Sequence, residues 1–220
     1  MIALLFVLAC APARYHGARY GHPSDRTGRS VPTDEYAAGM EHPDRDRWQQ
    51  PAKLVEAVGV HEGSVVADFG TGSGYLLPYL DRAVGPTGHV VGTDIDPDLL
   101  ALARRRVERE RLTRVELRRG EPTDPALEDD TYDVILVVDT YHHVADPIRR
   151  ELMRTLALAL APGGRIAVVE FRDGDLPVGP APGHKLPRVQ VEREVTDAGL
   201  RIARTHEFLE FQYVLELTRD

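Results

Sequence analysis

The residues with the clearest chemical content form a glycine-rich turn, Asp68-Phe69-Gly70-Thr71-Gly72-Ser73-Gly74. A short apolar run at residues 65–67 precedes the turn, and a helix-like segment begins at Tyr75. Glycines at alternate positions remove the β-carbons that would keep a ligand away from the backbone, and they permit positive φ where the chain reverses. The carboxylate of Asp68 can accept hydrogen bonds or balance a positive charge. The turn therefore predicts a site for a nucleotide-like ligand without phosphate.

A second acid lies where a ribose would need one. The apolar run at residues 89–93 ends in Asp94, twenty residues past Gly74, and Ile95 follows it. An acid at the carboxyl end of the second strand can accept hydrogen bonds from both hydroxyls of a ribose. Asp94 therefore indicates a bound nucleoside, although it does not specify which one.

A third group of candidate residues, Asp139, His142 and His143, follows an apolar run at residues 132–138. In open α/β sheets, ligands bind beyond the carboxyl ends of the strands. Histidine has an ordinary pKa of about 6.5, so either histidine could take a proton from an O–H or N–H nucleophile. His142 is the better candidate, because Asp139 lies three residues earlier and could orient it. The alternative is that one histidine only caps or packs against the next helix.

The same residues can also be considered as metal ligands. Asp139, His142, His143 and Glu170 all lie at or just beyond the ends of predicted strands. Mg²⁺ prefers oxygen ligands, mostly carboxylates, and two adjacent histidines do not suit it. No metal is therefore predicted in this site.

The surrounding segments alternate between apolar runs and amphipathic helices. Strands are predicted at residues 65–67, 89–93, 114–119, 132–138 and 165–171, with helices at 75–84, from 97, 146–160 and 188–198. A loop at residues 172–187 contains four prolines and several glycines, and loops of this length often contribute to function. Two further apolar or alternating runs, 200–209 and 212–218, end the chain.

This succession of motifs resembles that of the class I S-adenosylmethionine (SAM) dependent methyltransferases. The turn reads D-x-G-x-G-x-G, whereas the dinucleotide fingerprint would need its third glycine at Tyr75. The run Leu160-Ala161-Pro162-Gly163-Gly164-Arg165 before a strand is also common in this family. The resemblance covers residues 45–220 and is greatest to the bacterial ubiquinone-biosynthesis-like group. Residues 45–51 and 139–143 are similar to a small bacterial subgroup within it.

The resemblance implies an α/β, Rossmann-like fold with a seven-stranded, mostly parallel sheet, helices on both faces and a C-terminal antiparallel hairpin. It also implies SAM as the cofactor and S-adenosylhomocysteine as the product. In the family, the acid after a glycine such as Gly120 meets the adenine amino group, a place that Glu121 takes here, although Pro122 departs from the family pattern. The predicted cofactor-binding residues are Asp68, Gly70, Thr71, Gly72, Gly74, Asp94, Ile95, Glu121 and Asp139, and the predicted catalytic residues are His142, His143 and Asp139.

The function that this resemblance implies is methyl transfer to an O or N nucleophile of a small-molecule acceptor by in-line displacement. An alternative is a SAM-binding sensor or scaffold protein that does not transfer methyl groups, because it would need the same cofactor residues. An NAD(P) oxidoreductase is disfavoured by Tyr75 at the position of the third glycine. A tight turn in another α/β fold is the purely structural alternative.

Composition indicates one globular domain that does not bind nucleic acid. The chain has 220 residues, of which 42% are hydrophobic, enough for one full core and short for two. Its 27 Lys and Arg against 35 Asp and Glu give a net charge of −8, and nucleic-acid affinity depends largely on basic residues. The N/D-P-P-Y/F signature of base-amino methyltransferases is absent after residue 138. Composition does not indicate an oligomeric state.

The first ten residues have a different character from the rest. Residues 2–9 are apolar, and Val7-Leu8-Ala9-Cys10 resembles a bacterial lipobox, although no Lys or Arg precedes it. Cys10 is the only cysteine, so no internal disulfide and no arsenite-methyltransferase cysteine relay can form. Residues 1–10 are interpreted as a lipoprotein signal with a membrane tether through Cys10, 11–44 as a flexible linker, and 45–220 as the methyltransferase domain. Its location stays open between the cytoplasm, where SAM is made, and the membrane.

Overall fold

The computed structural model describes residues 33–219 of the chain. Cys10, the predicted lipoprotein signal and the predicted linker up to residue 32 lie outside this range, and the tether stays a prediction. Within it, no helix has the length and apolar character needed to cross a membrane.

Seven strands form one mixed sheet in the order β3-β2-β1-β4-β5-β7-β6. Strands β1 to β5 are parallel to one another, and β7 pairs antiparallel with both β5 and β6. The predicted fold class is therefore confirmed, including the C-terminal hairpin. The strands are β1 Val65–Phe69, β2 His89–Asp94, β3 Val115–Arg119, β4 Tyr132–Val138, β5 Leu160–Phe171, β6 Leu200–His206 and β7 Gln212–Arg219.

Seven α-helices and two short 3₁₀ helices are found among residues 33–219. Helix α5 begins as its sequence predicts, because the Asp96 side chain accepts from the N–H groups of Asp98 and Leu99 at 2.8 and 3.3 Å and Pro97 takes the first helical position. The α-helices are α1 Thr33–Met40, α2 Arg45–Gln49, α3 Pro51–Ala57, α4 Leu77–Val84, α5 Pro97–Glu110, α6 Asp146–Ala159 and α7 Arg188–Asp197. The 3₁₀ helices are Tyr141–His143 and Pro182–His184.

Two of these elements differ from the sequence-based boundaries. Helix α1 lies within residues 11–44, so the described part of the predicted linker is largely helical. Strand β5 begins at Leu160, which pairs with Tyr132, whereas Arg165 pairs with Val134. Residues 161–164, predicted as a turn before the strand, therefore form an irregularity inside it.

The core consists of two apolar layers, one on each face of the sheet. Strand β4 shows the arrangement most clearly, because Ile135 and Val137 belong to the layer with α6 and α7, while Val134 and Leu136 belong to the layer with α3 and α4. A strand that is covered on both faces reads as a continuous apolar run. The strand order reverses between β1 and β4, so the ligand crevice of such a fold is expected at their carboxyl ends.

Candidate cofactor and active site

The glycine-rich turn leaves β1 at its carboxyl end and is fastened to β2. The N–H groups of Gly70 and Thr71 both donate to the carbonyl oxygen of Thr93, at 2.8 and 2.9 Å. Gly70, Gly72 and Gly74 have φ values of +74°, +57° and +81°, in the region that favours glycine. The local backbone therefore explains the three glycines without reference to a ligand.

Two neighbours also approach the turn closely. A β-carbon on Gly70 would lie 2.3 Å from Cγ2 of Thr140, so no larger residue fits there without movement. A β-carbon on Gly72 would lie 3.3 Å from Sδ of Met40, at the end of α1. The N-terminal helix therefore lies against the glycine-rich turn.

Asp68 is buried at the end of β1. Its Oδ2 accepts a hydrogen bond from Oγ1 of Thr71 at 2.6 Å. Burial raises the pKa of Asp68 to about 6, although the Thr71 hydrogen bond and the charge of Arg45 both lower it. Asp68 thus stabilises the turn, and its ionised form would be stabilised further by a positively charged ligand.

Asp94 connects the glycine-rich turn to the start of α5. Its Oδ2 accepts from the N–H of Gly72 at 2.8 Å, and its Oδ1 accepts from the N–H of Asp96 at 2.9 Å. Burial raises its pKa, and these backbone hydrogen bonds oppose the rise. Each carboxylate oxygen can accept more than one hydrogen bond, so two ribose hydroxyls can still be accepted. The half-buried Ile95 lies between the two acids.

Glu121 lies beside the end of β2, as the predicted adenine contact requires. The N–H of Gly120 donates to the carbonyl oxygen of Asp94 at 3.0 Å, and that of Glu121 donates to the carbonyl oxygen of Asp124 at 2.7 Å. The Glu121 side chain is exposed. Its contact with adenine stays a prediction.

Asp139 follows β4 with a φ of +54°, which is uncommon for a residue other than glycine. Its Oδ2 lies 3.1 Å from Nη2 of Arg45, and its Oδ1 accepts from Nε2 of Gln212. Burial raises the pKa of Asp139 to about 6, although the positive charge of Arg45 lowers it. The side chain is therefore oriented by α2 and β7.

Four side chains from α2, β7 and the end of β4 form a closed ring of hydrogen bonds. Nε of Arg45 donates to Oε1 of Gln49 at 3.2 Å, and Nε2 of Gln49 donates to Oε1 of Gln212 at 2.8 Å. Gln212 and Arg45 then both donate to Asp139. Gln49 and Gln212 are fully buried, so the ring satisfies polar groups that would be costly to bury alone.

His142 is oriented by Glu170, and not by Asp139 as predicted from the sequence. Nδ1 of His142 lies 2.8 Å from Oε2 and 3.0 Å from Oε1 of Glu170, and the backbone N–H of His142 also donates to Oε1 at 3.0 Å. The reason for the difference is that Arg45 and Gln212 direct the Asp139 carboxylate toward themselves. Asp139 still affects His142, because its negative charge raises the pKa of that histidine.

The pKa of His142 is raised above its ordinary value. Burial alone would lower this pKa, but the charge of Glu170, the hydrogen bond to Glu170 and the charge of Asp139 raise it. Because Nδ1 is bonded to the carboxylate, Nε2 is the ring nitrogen that remains for a substrate proton.

His143 and the surrounding rings form the wall beyond His142. The ring centroids of His142 and His143 are 4.0 Å apart. The Phe171 ring lies 6.4 Å from His142 and 5.9 Å from Trp48 of α2. In the loop that follows, Lys185 donates to the carbonyl oxygen of Gly174 at 2.8 Å, so its ammonium group binds the loop itself.

Four participants in this site were not predicted as such. Glu170 was considered only as a metal ligand, and Arg45, Gln49 and Gln212 were not identified as site residues. Of these residues, only Glu170 has a signal in the sequence, which is its position near the end of a central strand. Among the described residues, no group of three or more His, Cys, Asp or Glu side chains is arranged to bind a metal ion.

The residues present fit SAM by charge. Burial destabilises the ionised forms of three carboxylates at the strand ends, Asp68, Asp94 and Asp139. A positively charged sulfonium beside them would offset this cost.

Comparisons with known proteins agree with this geometry. Residues 66–164 match the family described as "Methyltransferase domain". The demethylmenaquinone methyltransferase of Halalkalibacterium halodurans is 31% identical over 124 residues, which cover 56% of this chain and 50% of that protein. The protein-L-isoaspartate O-methyltransferase of Methanothrix thermoacetophila is 31% identical over 117 residues, covering 53% of this chain and 52% of that one. The chain therefore spans about half the length of these curated relatives.

A similar solved structure is a SAM-dependent methyltransferase from Aquifex aeolicus, with a TM-score of 0.80 and 26% identity over 85% of this chain and 98% of that one. A riboflavin-derivative dimethyltransferase, RosA of Streptomyces davawensis, shares the fold with a TM-score of 0.70 and 23% identity over 85% of this chain and 58% of that one. The predicted cofactor, SAM, is confirmed by these relationships. By these comparisons the chain is similar to the class I SAM-dependent methyltransferases.

Proposed function

We propose that this protein transfers a methyl group from SAM to an oxygen or nitrogen nucleophile of a small-molecule acceptor. The observation that supports it most directly is the pair of His142 and Glu170 beside the carboxyl ends of β4 and β5, with Nδ1 and carboxylate 2.8 Å apart. A protein that only binds SAM has no need of an oriented, titratable histidine at this edge.

The cofactor would be bound by the turn and by the acids at the strand ends. Asp94 would accept the ribose hydroxyls, Glu121 would contact adenine, and the backbone of the turn would contact the ligand directly. When bound, SAM supplies a methyl group on a positively charged sulfur. Asp68 and Asp139 would stabilise that charge, because burial has already made their ionised forms costly.

His142 is proposed to accept the proton that the acceptor loses as its O–H or N–H becomes a nucleophile. With Nδ1–H donating to Glu170, the lone pair on Nε2 is available for this proton. The imidazolium that results is stabilised by the Glu170 carboxylate. Glu170 is thus a positioning residue, and His142 is the proposed catalytic base.

The acceptor would enter beside the rings of Trp48, Phe171 and His142. Trp48 is half-buried and Phe171 is buried, so this wall would suit a flat or apolar acceptor. Several curated relatives are named as demethylmenaquinone methyltransferase or as ubiquinone/menaquinone biosynthesis C-methyltransferases. An electron-rich ring carbon is therefore included among the nucleophiles to be tested.

The test is release of S-adenosylhomocysteine with a panel of phenols, quinols and amines. We expect at least one acceptor class to give release that depends on both SAM and acceptor. Glu170→Gln should lower the rate, whereas Glu151→Gln, an exposed position on α6, should not. Tight SAM binding without release from any acceptor class would instead favour a sensor or scaffold protein.

A further inference from the structure

A buried ion pair between α6 and α7 adjoins the short 3₁₀ helix that contains His142, and the proposed mechanism does not use it. Arg149 of α6 and Glu194 of α7 are 6% and 7% exposed. Nε of Arg149 donates to Oε2 of Glu194 at 2.7 Å, and Nη2 donates to Oε1 at 3.0 Å. The guanidinium and the carboxylate thus meet through two hydrogen bonds, a geometry that fixes the orientation of both groups.

This ion pair contacts the chain on both sides of His142. Before it, the hydroxyl of the fully buried Tyr141 donates to Oε2 of Glu194 at 2.9 Å. After it, the carbonyl oxygen of Val144 accepts from Nη1 of Arg149 at 2.9 Å. The segment that contains His142 is therefore fastened at both ends. Tyr141, Arg149 and Glu194 together are named the anchor cluster.

The 3₁₀ helix has little hydrogen bonding of its own with which to hold the imidazole. Two local hydrogen bonds, donated by the N–H groups of His143 and Val144, have lengths of 2.9 and 3.1 Å. The hydrogen-bond geometry of such short helices is poor. Glu170 contacts the backbone and the ring of His142, so this contact keeps its geometry only if the segment itself is held in place.

We propose that the anchor cluster positions His142 for proton transfer. This inference rests on the proposed function, because it concerns the same base. Burial of a charged pair carries a desolvation cost, and replacement of such a pair by apolar residues is often neutral or stabilising. The pair of Arg149 and Glu194 is therefore better suited to orienting the segment than to stabilising the fold. It keeps Nδ1 of His142 on Glu170 and Nε2 available for the proton of the acceptor.

The anchor cluster is charged and closely paired. Burial raises the pKa of Glu194, but hydrogen bonds from Arg149, Gln190 and Tyr141 lower it below its ordinary value. Nη2 of Arg149 also donates to Oδ1 of the exposed Asp146 at 2.7 Å. Removal of one partner would leave a buried polar group unpaired and destabilise the fold for that reason alone. A test of positioning must therefore separate it from stability.

The first experiment observes His142 by NMR and needs no acceptor. Long-range ¹H–¹⁵N spectra of the full chain report the pKa of each imidazole and the nitrogen that carries its proton, and His142→Ala identifies the signal. We expect the wild type to have Nδ1 protonated and a raised pKa. In Tyr141→Phe the ring is held less firmly against Glu170, so the pKa should fall toward its ordinary value of about 6.5.

Tyr132→Phe is the matched control. Tyr132 and Tyr141 are both fully buried in the same apolar layer, but the hydroxyl of Tyr132 donates to Glu128, at 2.6 Å. The same substitution there should leave the titration of His142 unchanged.

The second experiment replaces the whole anchor cluster by apolar residues. The triple variant Tyr141→Phe, Arg149→Met and Glu194→Leu removes the hydroxyl and both charges together, so stability should be kept or increased. The kcat should nevertheless fall about 10- to 100-fold, the cost of misplacing a catalytic group by about 1 Å, while SAM affinity stays the same. Thermal unfolding, calorimetry and S-adenosylhomocysteine release on one preparation measure the three quantities.

An unchanged titration of His142 in Tyr141→Phe would overturn the proposal, even if the triple variant did not fold. A wild-type kcat in a folded triple variant would also overturn it, and so would a loss of SAM affinity equal to the loss of kcat. Absence of methyl transfer by the wild type with every acceptor class would instead overturn the proposed function. The NMR titration would still show whether the cluster holds the ring, so the two failures are distinguishable.

Discussion

At the scale of single residues, the arrangement of buried charges explains more of the site than any one motif. Three carboxylates at the strand ends, Asp68, Asp94 and Asp139, have pKa values raised by burial. Only Asp139 is paired with a buried cation, Arg45. The site therefore has surplus negative charge close to neutral pH, which a sulfonium ligand would offset.

His142→Ala should separate catalysis from cofactor binding. We expect turnover to fall about 100-fold or more, as for loss of a general base, while SAM affinity stays the same, because no predicted cofactor contact is removed. Steady-state rates and calorimetry on the same preparation measure the two effects. An equal rate in the variant would remove His142 from the mechanism, and a similar fall only in His143→Ala would transfer the role to that residue.

The pH dependence of the rate should report the pair of His142 and Glu170. His142 must be neutral to accept a proton, and its pKa is raised above the ordinary value, so kcat/KM is expected to rise with pH through that raised pKa. Glu170→Gln removes the charge that raises the pKa, and the rise should move to lower pH. A profile that is the same in both proteins would contradict the assignment.

Asp94→Ala should weaken SAM binding by about 1 to 3 kcal/mol, the range for lost hydrogen bonds to a charged group. Part of this loss comes from the turn, since Asp94 also accepts from the N–H of Gly72. Asp98→Ala, at an exposed position in the first turn of α5, is the matched control and should leave affinity unchanged. Unaltered affinity in Asp94→Ala would mean that the ribose lies elsewhere.

At the scale of elements, the sequence predicts best those segments whose local pattern is strong. Strand β4 is apolar except for Asp133, and α5 has both an Asp96 cap and Pro97. Helix α1, TDEYAAGM, has no comparable apolar stripe, and its sequence predicts a linker. Residues at and just after the end of α1 contact residues that are distant in sequence. Met40 lies against Gly72, and Glu41 forms an ion pair with Arg106 at 2.8 Å. A local sequence pattern cannot reveal such contacts.

Gly70→Ala tests how closely the turn and the segment after β4 are fitted. The new β-carbon would lie 2.3 Å from Thr140, at a φ of +74°. Gly163→Ala is a matched control, because its φ is +81° and nothing lies within 4 Å of the added atom. We expect Gly70→Ala to lower the free energy of unfolding by about 1 to 3 kcal/mol more than Gly163→Ala, the cost of overpacking. Thermal unfolding measures both, and Gly70→Ala with Thr140→Gly should recover part of the difference.

At the scale of the whole molecule, the sequence predicts topology better than it predicts side-chain pairing. The family resemblance is sufficient for the seven-stranded sheet with its C-terminal hairpin, and the edge at which the site lies follows from the carboxyl ends of its strands. The resemblance does not predict that Glu170 is the partner of His142. This contact depends on how β4 and β5 are aligned, and it joins residues that are 28 positions apart in the sequence. The ring that contains Gln49 and Gln212 joins residues 163 apart, and a glutamine has no sequence signature for such a role.

The surplus negative charge of the site should make both the stability of the protein and its SAM affinity depend on pH. The pKa values of Asp68 and Asp139 rise from 3.8 to about 6 on folding, so between these values the folded state binds more protons than the unfolded state. The contribution of these groups to stability is therefore lost as pH rises through this window. SAM should offset the loss, since its sulfonium stabilises the ionised carboxylates.

SAM affinity is accordingly expected to rise between about pH 5 and about pH 8. Asp68 and Asp139 become negative over this range, and this change favours binding of a cation. Calorimetry at about pH 6 in two buffers of different ionisation enthalpy should show protons released on binding. S-adenosylhomocysteine, which lacks the sulfonium charge, is the control and should show a smaller rise. Proton uptake, or an equal pH dependence for both ligands, would mean that the buried carboxylates do not face the sulfonium.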